Sequence, residues 1–318
     1  MEQADAETVL RLRPTPPVPL ADDAELLRVL ERCPEGCDLL ITLLAAALLS
    51  GRVASTLTDE AWPSGVYPCA VGAEPDYEAL AVAVGALPAI DALIGALRTP
   101  GAAPPEAQRR LLRWVLAPRP TALPLPAAVG GGPAPTFHFA LQGPRHRGFD
   151  AAGARGSSPG YHGSACKNMH SILRNGLRNY SGTTAESHGA ILGDGVYFSA
   201  DLGLASRSFA PASSVERPWA RSMLPGSVSV CIVADIASGG ASVHDGVLVV
   251  NQDQDIAIRS LLVFSAVTSA EAEMQESQED ARVSSGTVIC VFAILLMLLN
   301  PAVQRYLKSF LQSQLNKT

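Results

Sequence analysis

Aromatic residues are scarce in this chain of 318: three Trp, six Tyr and eight Phe make up 5% of it. Charge is thin too, at 17% Asp, Glu, Lys and Arg, and cations are not in excess, since the formal net charge is −6. A general nucleic-acid binder needs a concentrated Lys/Arg surface to neutralise phosphates. The sequence has no basic stripe, so no nucleic-acid partner is expected. Clustered cysteine is also missing: Cys33, Cys37, Cys69, Cys166, Cys231 and Cys290 are spread out, with no secretory-type leader ahead of them. They read as reduced thiols on the cytosolic side. Only Cys33 and Cys37 are neighbours, and a single Cys-x-x-x-Cys pair is a weak zinc signal. The pair reads as two half-buried helix residues, and no metal is expected.

Alanine, proline and glycine are plentiful, and they divide the chain. Residues 1–116 read as an all-helical domain. Asp22 and Asp23 can cap AELLRVLERC, whose leucines recur on one face, and DLLITLLAAALL from Asp38 is apolar all round, as a central helix should be. Helices from Asp76 and Ile90 are separated by Pro88, and Pro104-Pro105 opens PEAQRRLLRWVLA. Residues 117–135 (APRPTALPLPAAVGGGPAP) read as a Pro/Gly/Ala linker. Its GGG lacks the spacing of a dinucleotide fingerprint.

After the linker, over 136–270, short β-branched runs dominate: TFHFAL, GVYFS, VSVCIVADI, GVLVV and IRSLLVFS. One helix from Cys166 to Asn175 is closed by Gly176. Many strands with few helices imply an α+β chain, not a doubly wound sheet.

The polar stretch 271–282 reads as a tether. From 283 to 304 no residue is charged and VICVFAILLMLL is unbroken apolar. Some twenty helical residues reach roughly 30 Å, the thickness of a bilayer's hydrocarbon core. A C-terminal transmembrane helix over 283–304 is therefore expected, with 305–318 as a short lumenal tail and the rest of the chain facing the cytosol. Arg305, Lys308 and Lys317 beyond the span run against the positive-inside tendency.

YHGSACKNMHSILRNGL, beginning at Tyr161, concentrates polar and flexible residues. His162 and His170 are eight apart with no third ligand obviously placed, and Gly163-Ser164 lacks the glycine spacing of a nucleophile elbow. What remains is a glycine that lets main chain meet a ligand closely.

YHGS at 161–164, the helix HSILRNGL and GDGVYF at 193–198 resemble successive elements of the catalytic domain of the poly(ADP-ribose) polymerase family, with IRSLLVFS as the last core strand. The helical N-terminal region, the PAPTF entry strand and the apolar span are together similar to the tail-anchored mono-ADP-ribosyltransferase of the endoplasmic reticulum in that family. The resemblance implies a mixed α/β, antiparallel-sheet ADP-ribosyltransferase domain and a single-pass endoplasmic reticulum protein. NAD would be its substrate and proteins, itself included, its acceptors. It implies that His162 bonds an adenosine-ribose hydroxyl, that Gly163 main chain holds the carboxamide of nicotinamide, with Ser164 and Phe198 alongside, and that Tyr197 stacks on the nicotinamide ring. The loop from Asn179 to Asp194 would wall the dinucleotide, with His188 a solvated loop residue.

Two positions depart from the family pattern. The third catalytic position, twelve residues before Arg259, is Val247, where polymerising members carry glutamate; Asp245 is off register, and Glu271 and Glu273 lie too far along. Valine cannot polarise an acceptor hydroxyl, so chain elongation is not expected. The second aromatic, eleven residues after Tyr197, is replaced by Ser208, with Phe209 beside it. Both departures leave open an inactive NAD- or ADP-ribose-binding membrane scaffold.

Overall fold

A computed structural model describes residues 17–50, 70–71, 74–126, 134–142, 149, 156–179, 193–205, 218–224, 227–244 and 246–266. The apolar span at 283–304, its tether and tail, Ser208, Phe209 and His188 lie outside the described residues. Among the described residues no single helix is long and apolar enough to cross a membrane.

The helical region opens with α1 (Asp23–Arg32), whose N-cap Asp22 accepts the Glu25 N–H at 2.7 Å. Next comes α2 (Pro34–Leu48), entered through a proline where the missing N–H costs nothing. It starts earlier than its apolar run, so Cys33 and Cys37 are fully buried where half-burial was expected. After a two-residue pairing of β1 (Ala70–Val71) with β2 (Glu74–Pro75) come α3 (Tyr77–Gly85), capped by Asp76, and α4 (Ile90–Arg98). The chain bends 79° between these two helices, around Pro88. The last helix of this region, α5 (Glu106–Val115), buries Leu111, Leu112, Trp114 and Val115.

The described residues that follow form, besides two helices, one antiparallel sheet of eight strands, in the order β3-β4-β10-β7-β5-β6-β9-β8. The strands are β3 (Thr121–Ala122), β4 (Phe137–Ala140), β5 (Ser157–Ser164), β6 (Val196–Ser199), β7 (Ser227–Ala237), β8 (Ala241–His244), β9 (Val247–Val250) and β10 (Ile256–Ala266). Helix α6 (Cys166–Asn175) follows β5, and α7 (Leu202–Leu204) is a single turn after β6. β3 falls inside the Pro/Gly/Ala stretch. It pairs with β4, and His138 bonds both the Pro124 carbonyl (2.7 Å) and Ser260 Oγ (2.9 Å), so this end of the stretch is sheet edge.

Helices and sheet share one apolar core running from Leu26 and Leu43 through Trp114 to Val230, Ile232 and Val263. Three contacts join them. α2 packs along α6. Gly36 lets α2 approach the chain after α5: a Cβ there would lie 2.7 Å from Pro120 Cβ and 3.2 Å from the Phe139 ring. Arg174 lies over the Trp114 ring, 4.3 Å from its centroid, and donates to the Trp114 carbonyl at 3.2 Å, with His170 beside the same indole.

Asp38, fully buried in α2, ties the helices to residues 222–223. It accepts from the Met223 N–H at 2.8 Å, from the Ser222 hydroxyl and from Thr42 Oγ1 at 3.3 Å. Burial raises its pKa, and the bonds from Ser222, Met223 and Thr42 oppose that rise. An unpaired carboxylate here would cost several kcal/mol, so these donors are what make its burial tolerable. A smaller apolar cluster of Leu202, Ala205, Cys231, Val233, Leu262 and Phe264 packs with Tyr161.

Gly36→Ala gains helix propensity but drives a methyl into Pro120. We expect a net loss of about 1–3 kcal/mol in denaturant unfolding; unchanged stability would contradict the tight approach of α2.

His170 provides a pH test. Burial and the nearby Arg174 charge hold its pKa well below the usual imidazole value, and among the described residues its Nε2 has no hydrogen-bond partner. Below about pH 6.5 the unfolded chain takes up a proton that the folded chain refuses, so folding stability falls as pH drops through that window. Thermal melts should decline from about pH 7.5 to about pH 5 and flatten in part in His170→Gln.

Candidate functional site

The candidate site lies where β5 and β6 part. β5 pairs with β7 along its whole length, from Ser157 against Ala237 to Ser164 against Val230. Its contact with β6 is a single pair, Tyr161 with Ser199. Beyond that pair, at Gly163 and Ser164, β5 has no ladder partner on the β6 side among the described residues. Main-chain groups freed from a ladder in this way are what a ligand carboxamide can use.

The separation is held by His162. Its Nδ1 lies 2.8 Å from the Tyr197 carbonyl. A carbonyl only accepts, so Nδ1 carries the proton. Burial lowers the His162 pKa, and the bond to Tyr197 partly counters this. The ring is therefore neutral at physiological pH, and Nε2 presents a lone pair. That nitrogen makes no hydrogen bond among the described residues.

β5 and β6 place the other groups by alternation. The imidazole shares a face with Phe198, ring centroids 5.7 Å apart and tilted by 59°. Phe198 belongs to the core on the helix side. Tyr197 is on the opposite face, the one Gly163 shares, since neighbouring strand residues point opposite ways. Imidazole and phenol thus do not face each other; the Tyr197 main chain lies between them. The phenol is fixed at its far end, where Oη donates to the Gly193 carbonyl at 2.5 Å.

Two glycines make this arrangement possible. A Cβ at Gly160 would strike Ile236 Cδ1 at 2.5 Å and crowd Phe198 at 3.2 Å. Gly195, at φ +153°, lies so close to β9 that a Cβ would be 2.7 Å from Val249 Cγ1 and 2.9 Å from the Val250 carbonyl oxygen.

Val247 opens β9 and pairs with Ser199 of β6 and His244 of β8. Tyr161, Ser199, Val247 and His244 form one row across four strands. Ser199 is buried, and its Oγ accepts the Asp201 N–H at 2.9 Å. His244 is exposed, with Nε2 3.2 Å from Ser242 Oγ. Sequence reasoning missed His244. No motif marks it, and only the β8–β9 register brings an imidazole opposite Val247.

His162, Gly163, Ser164, Tyr197 and Phe198 are therefore brought together on β5 and β6, with Val247 one strand further on. Ser164 Oγ accepts from Asn168 Nδ2 at 3.1 Å, which ties the end of β5 to the first turn of α6. The thiols nearby are unsuited to nucleophilic attack: burial pushes Cys166 and Cys231 each up to about 12. Among the described residues no group of three or more His, Cys, Asp or Glu could hold a metal ion.

Two curated relatives, protein mono-ADP-ribosyltransferase PARP8 of Mus musculus and of Homo sapiens, are each 52% identical over 44 residues, which is 14% of this chain. The match spans only 5% of the length of those relatives. Residues 28–116, which hold most of the helical region, match the family model of the ARTD15 N-terminal domain. Residues 155–251, from just before β5 to just after β9, match that of the poly(ADP-ribose) polymerase catalytic domain, a domain that takes NAD as its substrate.

Proposed function

We propose that this chain is a protein mono-ADP-ribosyltransferase that transfers ADP-ribose from NAD to a side chain of an acceptor protein, itself included. The observation that carries the reading is the neutral His162, its Nδ1 proton committed to the Tyr197 carbonyl, beside Gly163, which pairs with β7 but not with β6.

The residues fit the substrate. The carboxamide of nicotinamide has one acceptor and two N–H donors, and the N–H and C=O of Gly163 can satisfy both kinds with no Cβ in the way. His162 Nε2 can accept from a ribose hydroxyl. The Tyr197 ring, on the Gly163 face, can stack on the pyridine ring, an interaction worth roughly 0.5–1.5 kcal/mol beyond buried area. In the reaction the bond between ribose C1′ and the nicotinamide nitrogen breaks, and the leaving nicotinamide takes the bonding pair. The acceptor atom then bonds C1′ through an oxocarbenium-like state and releases its proton to water. Positioning supplies most of the acceleration.

Val247 limits the product. Its aliphatic side chain cannot activate a hydroxyl of an attached ADP-ribose as a carboxylate in that place would, so transfer stops after one unit. The same observation supports the second reading, a membrane scaffold that binds NAD or ADP-ribose without transfer.

The uncharged run 283–304 supports attachment to a membrane, and likeness to the tail-anchored relative favours the endoplasmic reticulum with the catalytic domain in the cytosol. Localisation of the full chain, and its loss when 283–304 is deleted, test that part; an unchanged distribution would contradict it.

Incubation of the full chain with labelled NAD tests the activity. We expect self-labelling of one ADP-ribose per site, reduced roughly tenfold or more in His162→Ala, the loss of about one to two hydrogen bonds at the site. A nicotinamide mimic should still raise the melting temperature of the variant. Labelled NAD bound without transfer would establish the scaffold instead.

A further inference from the structure

A cavity of about 360 Å³ lies away from the β5–β6 site, lined by Glu25, Arg28, Val29 and Arg32 of α1 and by Arg119 from the chain after α5. Three guanidinium groups and one carboxylate surround it.

The carboxylate is already committed. Glu25 accepts the Ala21 N–H at 2.7 Å, and Arg119 reaches it at 2.9–3.0 Å through Nε and Nη2. These contacts, the Ala21 bond first and Arg119 second, lower the Glu25 pKa, so it stays ionised. Arg119 is largely occupied in turn: Nη1 donates to the carbonyls of Val18 and Ala117, both at 3.0 Å. It reaches this position from φ +45°, a left-handed conformation that residues other than glycine seldom adopt.

Arg28 and Arg32 are left. Arg28 spends only Nε, on the Ala24 carbonyl at 3.2 Å of its own helix. Arg32 makes no hydrogen bond or ion pair among the described residues. Four residues apart, they stand on one helix face, where like charges repel and weaken the helix. Arg32 gains from the C-terminal end of the helix dipole, but Arg28, in mid-helix, does not. The nearest other acid on this helix, Glu31, pairs with Arg98. The terminal nitrogens of Arg28, whose charge also acts on Glu25, and the whole guanidinium of Arg32 therefore line a cavity large enough for more than one phosphate, and fork geometry suits phosphate oxygens.

The geometry points to a binding site for a phosphate-bearing anion on the helical region, held by Arg28 and Arg32 with Arg119 and Glu25 as its fixed wall. A soluble pyrophosphate and the phosphorylated headgroup of an inositol lipid share this chemistry.

The test uses the full chain in uncharged detergent micelles, at low salt. One arm titrates inorganic pyrophosphate by calorimetry. The other compares micelles containing a phosphorylated inositol lipid with micelles containing phosphatidylcholine. Arg28→Gln/Arg32→Gln leaves the Glu25–Arg119 wall intact and should weaken binding by about tenfold or more. Binding should persist in His162→Ala, which separates this cavity from the NAD site. Response in the pyrophosphate arm alone identifies a soluble ligand, and response in the lipid arm alone a headgroup. No binding in either arm, equal binding by the double variant, or loss in His162→Ala overturns the proposal. Circular dichroism of the double variant matching the parent chain shows that any loss is not unfolding.

Discussion

One hydrogen bond, from His162 Nδ1 to the Tyr197 main chain, organises the candidate site. In a neutral ring it fixes the tautomer and thereby makes Nε2 an acceptor. It also satisfies a carbonyl at the point where β5 and β6 part, so the parting leaves no orphaned acceptor there. Burial of the ring against Phe198 lowers its pKa and keeps it in the acceptor form. Protonation would turn Nε2 from an acceptor into a donor.

The helical region bears on the same place through packing. α6 begins two residues after Ser164, and α2 lies along it. Trp114, His170 and Arg174 pin the same helix to α5. The end of β5 is thus held by a helix that is itself held by residues far earlier in the chain. A strand end freed from its ladder on one side has few bonds of its own to resist motion, and this packing supplies what the ladder does not.

Much of this was legible in the sequence. Asp22 and Asp76 mark helix starts, and each accepts the N–H expected of a cap. β-branched runs mark β7, β9 and β10, because those strands are buried enough for composition to reveal them. β5 was hidden: SSPGYHGS carries proline and glycine in place of β-branched residues, and it is a strand because β7 and its own tight approach to Phe198 demand it. β8, largely exposed, leaves almost no apolar signature. His162, Gly163 and Tyr197 could be read from motif, but not their disposition on two faces, which follows from register. The shared core of helices and sheet was also invisible, since Gly36 and Asp38 acquire meaning only from Pro120 and Ser222, far along the chain.

The most direct measurement is a crystal structure of the protein with benzamide, which carries the carboxamide of nicotinamide on a plain ring. The account predicts that the carboxamide bonds the N–H and C=O of Gly163 and the ring lies on Tyr197, while His162 Nδ1 stays on the Tyr197 carbonyl. A structure with β5 and β6 laddered through Gly163 and benzamide excluded from that strand would contradict it.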